Sequence, residues 1–244
     1  MRAPRGTVAE VQSTDLVKGS PDQIYGEVGI HPVYGLLDFI PVEVDSRIIG
    51  MAMRPENLAT PLSDCMVNIT EDMLISAETC LLHLLHADWK RSPFFLVIQH
   101  TSICGIVTKA DVNKLPLRVS VFELLSDYEH ALTKRLESKL ASDESWLSRL
   151  DQAQIERLWE QFRRDQRAGL ELSLISCAAL GIKVEIGWHY LEELHRFDRA
   201  QIDRITKLRN TISHGKPMIT SRFKVHNLSE DLRLAEALCA ALSQ

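Results

Sequence analysis

The sequence of 244 residues contains no CxxC pair, and its five cysteines are scattered singly. This pattern lacks the ligand spacing of a structural zinc site, and an odd, scattered count argues against a disulfide framework. No stretch approaches the roughly 18 uninterrupted apolar residues that a membrane span requires. No apolar run follows the basic N-terminal residues, so we expect no secretory leader, no membrane partner and a cytoplasmic location.

Acidic residues are absent from one long stretch, between Arg204 and Ser229. The first half of the chain, residues 1–126, has 10 basic and 15 acidic side chains, and the net charge of the whole chain is −5. An acid-free run that is rich in cations creates a positive field that phosphate groups would experience. A solvated surface is the alternative explanation for the same charges. The cations of the run are Arg204, Lys207, Arg209, Lys216, Arg222 and Lys224, with His214 and His226.

The two halves of the chain differ in periodicity. Between Phe39 and Val121, runs such as "FIPVEV", "RIIGMAM", "PFFLVIQ" and "SICGIVT" predict strands, and "SAETCLLHLLHADW" predicts a helix. From Ser126 onward the strand patterns stop and five helical patterns follow, of which "LELSLISCAALG" is the third. Ser145 is the expected N-cap of the second pattern. We therefore predict an α+β protein with a β-α module over 1–125 and an all-α bundle over 126–244.

A weak internal repeat is visible in the first half. The segment Phe39–Leu58 aligns with Phe94–Leu115, and each copy has the order strand, turn, strand, glycine and helix start. The glycines of the two copies, Gly50 and Gly105, are 55 residues apart. A repeat of this length predicts a module with pseudo-two-fold symmetry.

The sequence "GIVTKAD" at the end of the second copy resembles the glycine–apolar–apolar–Thr–x–x–Asp signature of CBS domains. These domains occur as tandem pairs and often bind adenine nucleotides. The resemblance implies that Thr108 contacts phosphate or ribose and that Asp111 contacts the ribose hydroxyls of an adenine nucleotide effector. The first copy reads "GMAMRPE" and has Met53 and Glu56 at these positions, so at most one site is competent. Alternatively, Thr108 only caps a helix and the pair is a dimerisation scaffold.

The stretch "KLRNTISHGKP" predicts a helix that ends at its glycine, which suits the left-handed position after a helix. Arg209 projects at the edge of an apolar stripe and needs a partner, because an unpaired, desolvated charge is unfavourable. Glu171 and Glu185 are both candidates for that partner. Asn210 and His214 are four residues apart and would share a neighbouring face. A histidine moves a proton near neutral pH and an arginine holds a phosphate as charge develops on it.

This arrangement, Arg-Asn followed by three residues and His, resembles the R-x(4–6)-H motif of HEPN domains. These are helical bundles, often metal-independent endoribonucleases that act as dimers. The resemblance implies that Arg209 is the residue that holds the phosphate, that Asn210 is the polar neighbour that orients this residue, and that His214 is the acid–base residue. Ser213 stands where many relatives have alanine. The cations expected to contact RNA more weakly are Lys207, Lys216 and Arg204.

The resemblances together imply a metal-independent endoribonuclease, regulated by an adenine nucleotide and without a catalytic cofactor. They further imply RNA as substrate, a homodimer, and a toxin–antitoxin or phage-defence role with an antitoxin or regulatory protein as partner. The alternative is a non-catalytic nucleotide-sensing protein that serves dimerisation or partner docking. The two hypotheses differ at His214, because an enzyme needs an accessible imidazole close to Arg209, whereas a docking module tolerates both being sealed.

Overall fold

A computed structural model describes residues 6–33, 35–140, 142–220 and 224–244. Arg222 of the acid-free stretch lies outside these residues. The chain divides into two units, Met1–Leu117 and Arg118–Gln244, of which the first is mixed α and β and the second is helical. None of the helices in the described part is both long and apolar enough to cross a bilayer.

Within its described residues, the first unit has two short α-helices, α1 (Tyr25–Val28) and α2 (Leu81–His86), and three small sheets. Strands β1 (Ile30–His31) and β2 (Gly35–Leu36) form a two-stranded ribbon. The second sheet has the order β3 (Phe39–Val44), β4 (Arg47–Met53) and β5 (Met66–Asn68), all antiparallel. The third has the order β6 (Leu74–Ser76), β7 (Phe94–Gln99) and β8 (Ser102–Thr108), with β6 parallel to β7. The 3₁₀ turns are Val8–Glu10, Leu62–Cys65, Glu71–Met73 and Lys109–Asn113.

The two long hairpins confirm the predicted repeat. Both β3–β4 and β7–β8 carry a register shift at the same point, after Val42 in one hairpin and after Val97 in the other. Gly50 faces Val42 across its hairpin, and Gly105 faces Val97 in the same way. The register shift and the glycine opposite it therefore occur together in both hairpins, as expected if one hairpin is a duplicate of the other.

The copies also exchange edge segments, so the repeat is longer than the sequence indicates. The segment 66–68, which precedes the second hairpin, adds to the first hairpin as β5. Conversely, Ser13 precedes the first hairpin and pairs with Ile106 of the second. The parallel pairing, in contrast, stays within each copy. Gly19 forms a parallel bridge to Val42 in the first copy, and β6 pairs in parallel with β7 in the second. Two repeats, 7–56 and 61–113, thus interlock through their first segments.

Close backbone approach explains both hairpin glycines. A Cβ atom on Gly105 would lie 2.9 Å from the carbonyl oxygen of Ser13, and one on Gly50 would lie 2.9 Å from that of Val67. Both carbonyls belong to the exchanged segments. Glycine is therefore required where each repeat receives a segment of the other.

The second unit consists of helices α3 (Leu115–Lys139), α4 (Asp143–Leu147), α5 (Gln152–Arg167), α6 (Leu180–Tyr190), α7 (Arg199–Ser213) and α8 (Val225–Leu242). Two 3₁₀ turns, Ile175–Cys177 and Glu192–Arg196, connect them, and α3 begins three residues before the division. No described residue after β8 belongs to a strand. The mixed first half and all-helical second half agree with the predicted fold class.

Two local predictions are wrong. The segment 170–181 is not an α-helix: it contains the 3₁₀ turn Ile175–Cys177, and only its last two residues belong to an α-helix, at the start of α6. Leu170, Leu172 and Leu174 stand at every second position of the sequence, and the first two are exposed whereas the third is buried. This spacing does not form the apolar stripe of a helix. The N-cap of α5 is Asp151, not Ser145. Asp151 accepts from the backbone N–H of Gln154 at 2.7 Å, and that glutamine returns the bond at 3.0 Å, a reciprocal capping arrangement.

Candidate functional site

Helix α7 positions the motif of the second half. Its apolar stripe is buried as predicted, and Asp198 caps its first turn by accepting from two backbone N–H groups. The helix ends at Ser213, His214 is the C-cap, and Gly215 has a φ of +74°. The predicted helix end is confirmed, because glycine occupies the left-handed position after the cap. The stripe residues are Ile202, Ile205, Leu208 and Ile212.

The Arg209 side chain points towards α3. Its Nη2 atom lies 2.9 Å from Oε2 of Glu129, and the other oxygen of that carboxylate lies 3.1 Å from Nζ of Lys183. Its guanidinium carbon lies 6.0 Å from the centre of the Phe122 ring, within cation–π range. Lys183 is only 4% exposed. One carboxylate therefore serves two cations, and the Arg209 Nε atom is shielded from solvent without a hydrogen-bond partner among the described residues.

Neither expected partner of Arg209 is the one found. Glu171 is exposed, and Glu185 forms an ion pair with Arg199 at 2.7 Å. The physical reason is the direction of the Arg209 side chain, which leaves α7 towards α3, whereas Glu185 lies on α6 within reach of the first turn of α7.

Asn210 and His214 lie together on the exposed side of the end of α7. The backbone N–H of His214 donates to the carbonyl of Asn210 at 3.1 Å, and both side chains are exposed. No described residue makes a hydrogen bond to either side chain. Arg209 and His214 are five positions apart in the sequence, so the two side chains leave the helix about 140° apart. Within one chain, the structure exposes the imidazole and directs the guanidinium inward.

Arg118 of α3 also reaches the end of α7, which the sequence did not reveal. Its Nη2 atom donates to the Ile212 carbonyl at 3.4 Å. A Cβ atom on Gly215 would lie 3.9 Å from the same Nη2 atom. The Arg118 side chain is half-buried, and its Nε atom is shielded from solvent and has no hydrogen-bond partner among the described residues. No Asp or Glu in the described ranges forms an ion pair with it.

The three weaker RNA-contact candidates differ in their surroundings. Lys207 and Lys216 are exposed, one on α7 and the other just beyond it. Arg204 instead donates from two nitrogens to Oδ1 of Asp231, at 2.8 and 3.1 Å. Burial raises the pKa of Asp231, and the hydrogen bond to Asp231 raises the pKa of Arg204. We infer that Arg204 stabilises a buried carboxylate, whereas the two lysines are available to a phosphate chain.

Thr108 and Asp111 form a closed local arrangement in the first unit. Oδ2 of Asp111 accepts from the Thr108 backbone N–H at 2.6 Å and from its hydroxyl at 3.1 Å. Its Oδ1 atom lies 2.7 Å from Nζ of Lys114, and the side chain is 7% exposed. Both carboxylate oxygens therefore have partners, as in the capping alternative, and a ribose hydroxyl could bind Asp111 only by replacing one of them.

A cleft of about 410 Å³ lies elsewhere in the first unit. Its walls are six aliphatic side chains near the tips of both long hairpins, with Asn68, Thr101 and Ser102 as polar groups. Ile103 in its wall is five positions from Thr108 on β8, which corresponds to about 17 Å along a strand. The cleft is thus separate from the Thr108–Asp111 arrangement.

The described residues contain no group of three or more His, Cys, Asp or Glu side chains placed to hold a metal ion. No family model and no curated protein matches the chain. Among solved structures, the chain is similar to the CBS domain of a bacterial CNNM/CorC family Mg²⁺ transporter in complex with ATP. The similarity has 16% identity and a TM-score of 0.36 and covers 45% of this chain and 85% of that chain.

The residues that sequence reasoning missed had weak local signals. Arg118 lies in the first turn of a helix, where a cation is opposed by the helix dipole. Lys183 is a single lysine in the apolar run "ALGIKVEIGW". Such placements indicate a partner, because an isolated charge is rarely buried. Neither signal identifies Glu129 as the carboxylate that Lys183 shares with Arg209.

Proposed function

We propose that this protein is a metal-independent endoribonuclease whose reacting residue is His214. The observation that carries the proposal is the exposed imidazole of His214 at the end of α7, beside cations that outnumber their carboxylates. A docking module would tolerate a sealed histidine. An acid–base residue must reach its substrate, and this one is accessible.

The proposed reaction is transesterification within the RNA. The His214 ring accepts the proton of a 2′-hydroxyl, the 2′ oxygen forms a bond to phosphorus, and the bond from phosphorus to the 5′ oxygen breaks. The protonated ring then returns a proton to the departing oxygen, which leaves a 2′,3′-cyclic phosphate and a 5′-hydroxyl. Asn210, on the same exposed side, orients the phosphate, and the cations around α7 stabilise the charge that develops on it.

Incubation of the purified full chain with total RNA in EDTA tests this function. We expect fragments that end in 2′,3′-cyclic phosphate, and no fragments with the His214→Ala variant. Intact RNA with pure wild-type protein, with and without adenine nucleotides, would reject the nuclease in favour of the non-catalytic docking hypothesis. Equal cleavage by both proteins would indicate a contaminating nuclease.

We further propose that the first unit binds an adenine nucleotide at Thr108 and Asp111 and regulates the second. The support is the duplicated hairpin, in which only the second copy has a hydroxyl and an aspartate at the end of its last strand. Calorimetric titration of ATP and AMP should give at most one nucleotide per chain. Asp111→Asn, which can still accept from the Thr108 backbone, should weaken binding, whereas Glu56→Gln in the first copy should not.

We also propose that the protein acts as a homodimer in toxin–antitoxin or phage defence. The support for the homodimer is the small positive charge of one site. One exposed histidine and a few cations make a small site for a long anion, and a symmetric interface would double the number of positive groups. Light scattering of the full chain should give twice the monomer mass. Expression in a bacterial host should arrest growth with the wild type but not with His214→Ala, and an antitoxin would relieve that arrest.

A further inference from the structure

The charges where α3 meets α7 do not balance. Arg118, Lys183 and Arg209 are half-buried or buried, and Glu129 is the carboxylate that forms ion pairs with two of them. Three cations and one carboxylate leave a net charge of +2, and Arg118 has no carboxylate partner in the described part of the chain. A desolvated cation without a counter-charge is unfavourable, so this region favours an anion from outside the chain.

The sequence of α3 places these groups on one face. Arg118, Phe122 and Glu129 occupy positions i, i+4 and i+11, which differ by no more than about 40° around a helix. Arg209 contacts the second and third of these residues. Arg118 is therefore one turn of α3 away from the Arg209 guanidinium, towards the end of α7 where the His214 ring is exposed.

Arg118 is suited to bind a phosphate. A guanidinium has five N–H donors, and the Ile212 carbonyl is the acceptor that it contacts within the described residues. Its planar fork matches the two free oxygens of a phosphodiester. Arg118 lies in the first turn of α3, where the helix dipole disfavours a cation. The dipole therefore does not explain why an arginine stands at this position.

We propose that Arg118 is a phosphate-binding residue of the RNA site and holds the RNA backbone next to the phosphate that reacts at His214. This inference rests on the proposed function and adds a residue from a different helix. Its ligand class is the single-stranded RNA backbone. Because the contact is to phosphate, it contributes affinity that depends on salt and does not depend on base sequence.

The alternative is that Arg118 only caps the C-terminus of α7. Arg118→Gln separates the two roles, since its amide can still donate to the Ile212 carbonyl but carries no charge. Arg163→Gln is the matched control, because Arg163 is an exposed arginine of α5 whose loss changes the net charge equally.

Binding of a short fluorescent single-stranded RNA to the full chain is measured by anisotropy at several KCl concentrations. All proteins carry His214→Ala, so that cleavage does not interfere. We expect Arg118→Gln to reduce the slope of log K against log salt by about 0.7, the value for one phosphate contact on a single strand. Arg163→Gln should keep the parent slope. In proteins that retain His214, Arg118→Gln should raise KM more than it lowers kcat.

The outcomes separate this inference from the proposed nuclease. An unchanged slope with Arg118→Gln would overturn the phosphate contact, even if the wild type cleaves RNA. A reduced slope would support the contact, even if the wild type leaves RNA intact and the nuclease is rejected. RNA that does not bind to the parent protein at any salt concentration would overturn the contact as well.

Discussion

Arg209 and Glu129 form an ion pair of 2.9 Å between α7 and α3, and Lys183 binds the other oxygen of the same carboxylate. The arginine that the sequence motif would assign wholly to the substrate therefore also stabilises the fold. In the proposed function, an RNA phosphate competes with Glu129 for the same guanidinium. We therefore expect stability and RNA affinity to change in opposite directions when this carboxylate is removed.

Glu129→Gln should destabilise the second unit and strengthen RNA binding. The substitution leaves Lys183, which is 4% exposed, without a counter-charge, so we expect a loss of about 3–5 kcal/mol in the free energy of unfolding. The freed Arg209 makes the surface more positive and should tighten binding of RNA. Urea denaturation and anisotropy measure the two effects. Glu160→Gln is the control, because its exposed pair with Arg164 should contribute at most about 0.5 kcal/mol.

His214→Ala and Arg209→Ala should differ in their effect on stability. His214 is exposed at the C-cap, so its loss should leave the melting temperature nearly unchanged while cleavage falls by about 10²–10⁴-fold. Arg209→Ala should reduce cleavage and also cost about 1–3 kcal/mol, since it removes a half-buried ion pair with Glu129. Gel assays and thermal melts check both. A large fall in melting temperature with His214→Ala and no cleavage to lose would favour a structural histidine.

Gly50→Ala and Gly105→Ala should each destabilise the first unit. In both proteins the new methyl group would lie 2.9 Å from a backbone carbonyl of the exchanged segment, which cannot move without breaking its pairing. Gly181→Ala is the matched control in α6, where the nearest atom would be 3.9 Å away. Alanine should stabilise that helix by up to about 1 kcal/mol. Chemical denaturation of the three variants should therefore give opposite signs for the hairpin and helix positions.

Acid should remove the contribution of the Arg135–Glu193 pair. The hydrogen bond from Arg135 lowers the pKa of Glu193 below its ordinary value of 4.5. The stabilisation is therefore complete above that value and is lost as the pH falls through the lower pKa of the folded protein. At pH 7, Glu193→Gln should cost about 1.5–3 kcal/mol relative to wild type, as expected for a hydrogen bond to a charged group. The difference should shrink below pH 4.5, whereas exposed Glu192→Gln should cost little at any pH.

The sequence predicted what depends on local pattern. The strands of both long hairpins follow from short apolar runs on either side of a polar turn, and the end of α7 follows from the glycine after His214. It could not predict the exchange that joins Ser13 to β8, because that pairing links segments far apart in the chain. The partner of Arg209 was missed for the same reason, since Glu129 lies on a different helix and several other carboxylates were equally plausible by sequence.

The candidate site could be predicted only in part. The motif gave His214 and Asn210, which the structure places together on the exposed side of α7. Arg118 comes from α3, and no spacing rule within one helix relates it to that motif. The segment 170–181 illustrates the reverse error, because leucine content alone favoured a helix where leucines at every second position belong to a connection between α5 and α6.

The interlocked repeats make the first unit a single cooperative structure with no half that is complete by itself. A protein that lacks residues 6–20 would lose two pairings at once: that of Ser13 with Ile106 on β8 and the parallel bridge of Gly19 to Val42. The exposed strand edges would then be free to pair with another chain. A second molecule could supply the missing segment from its own N-terminal region, so a shortened chain mixed with the full-length protein should recruit it into swapped dimers.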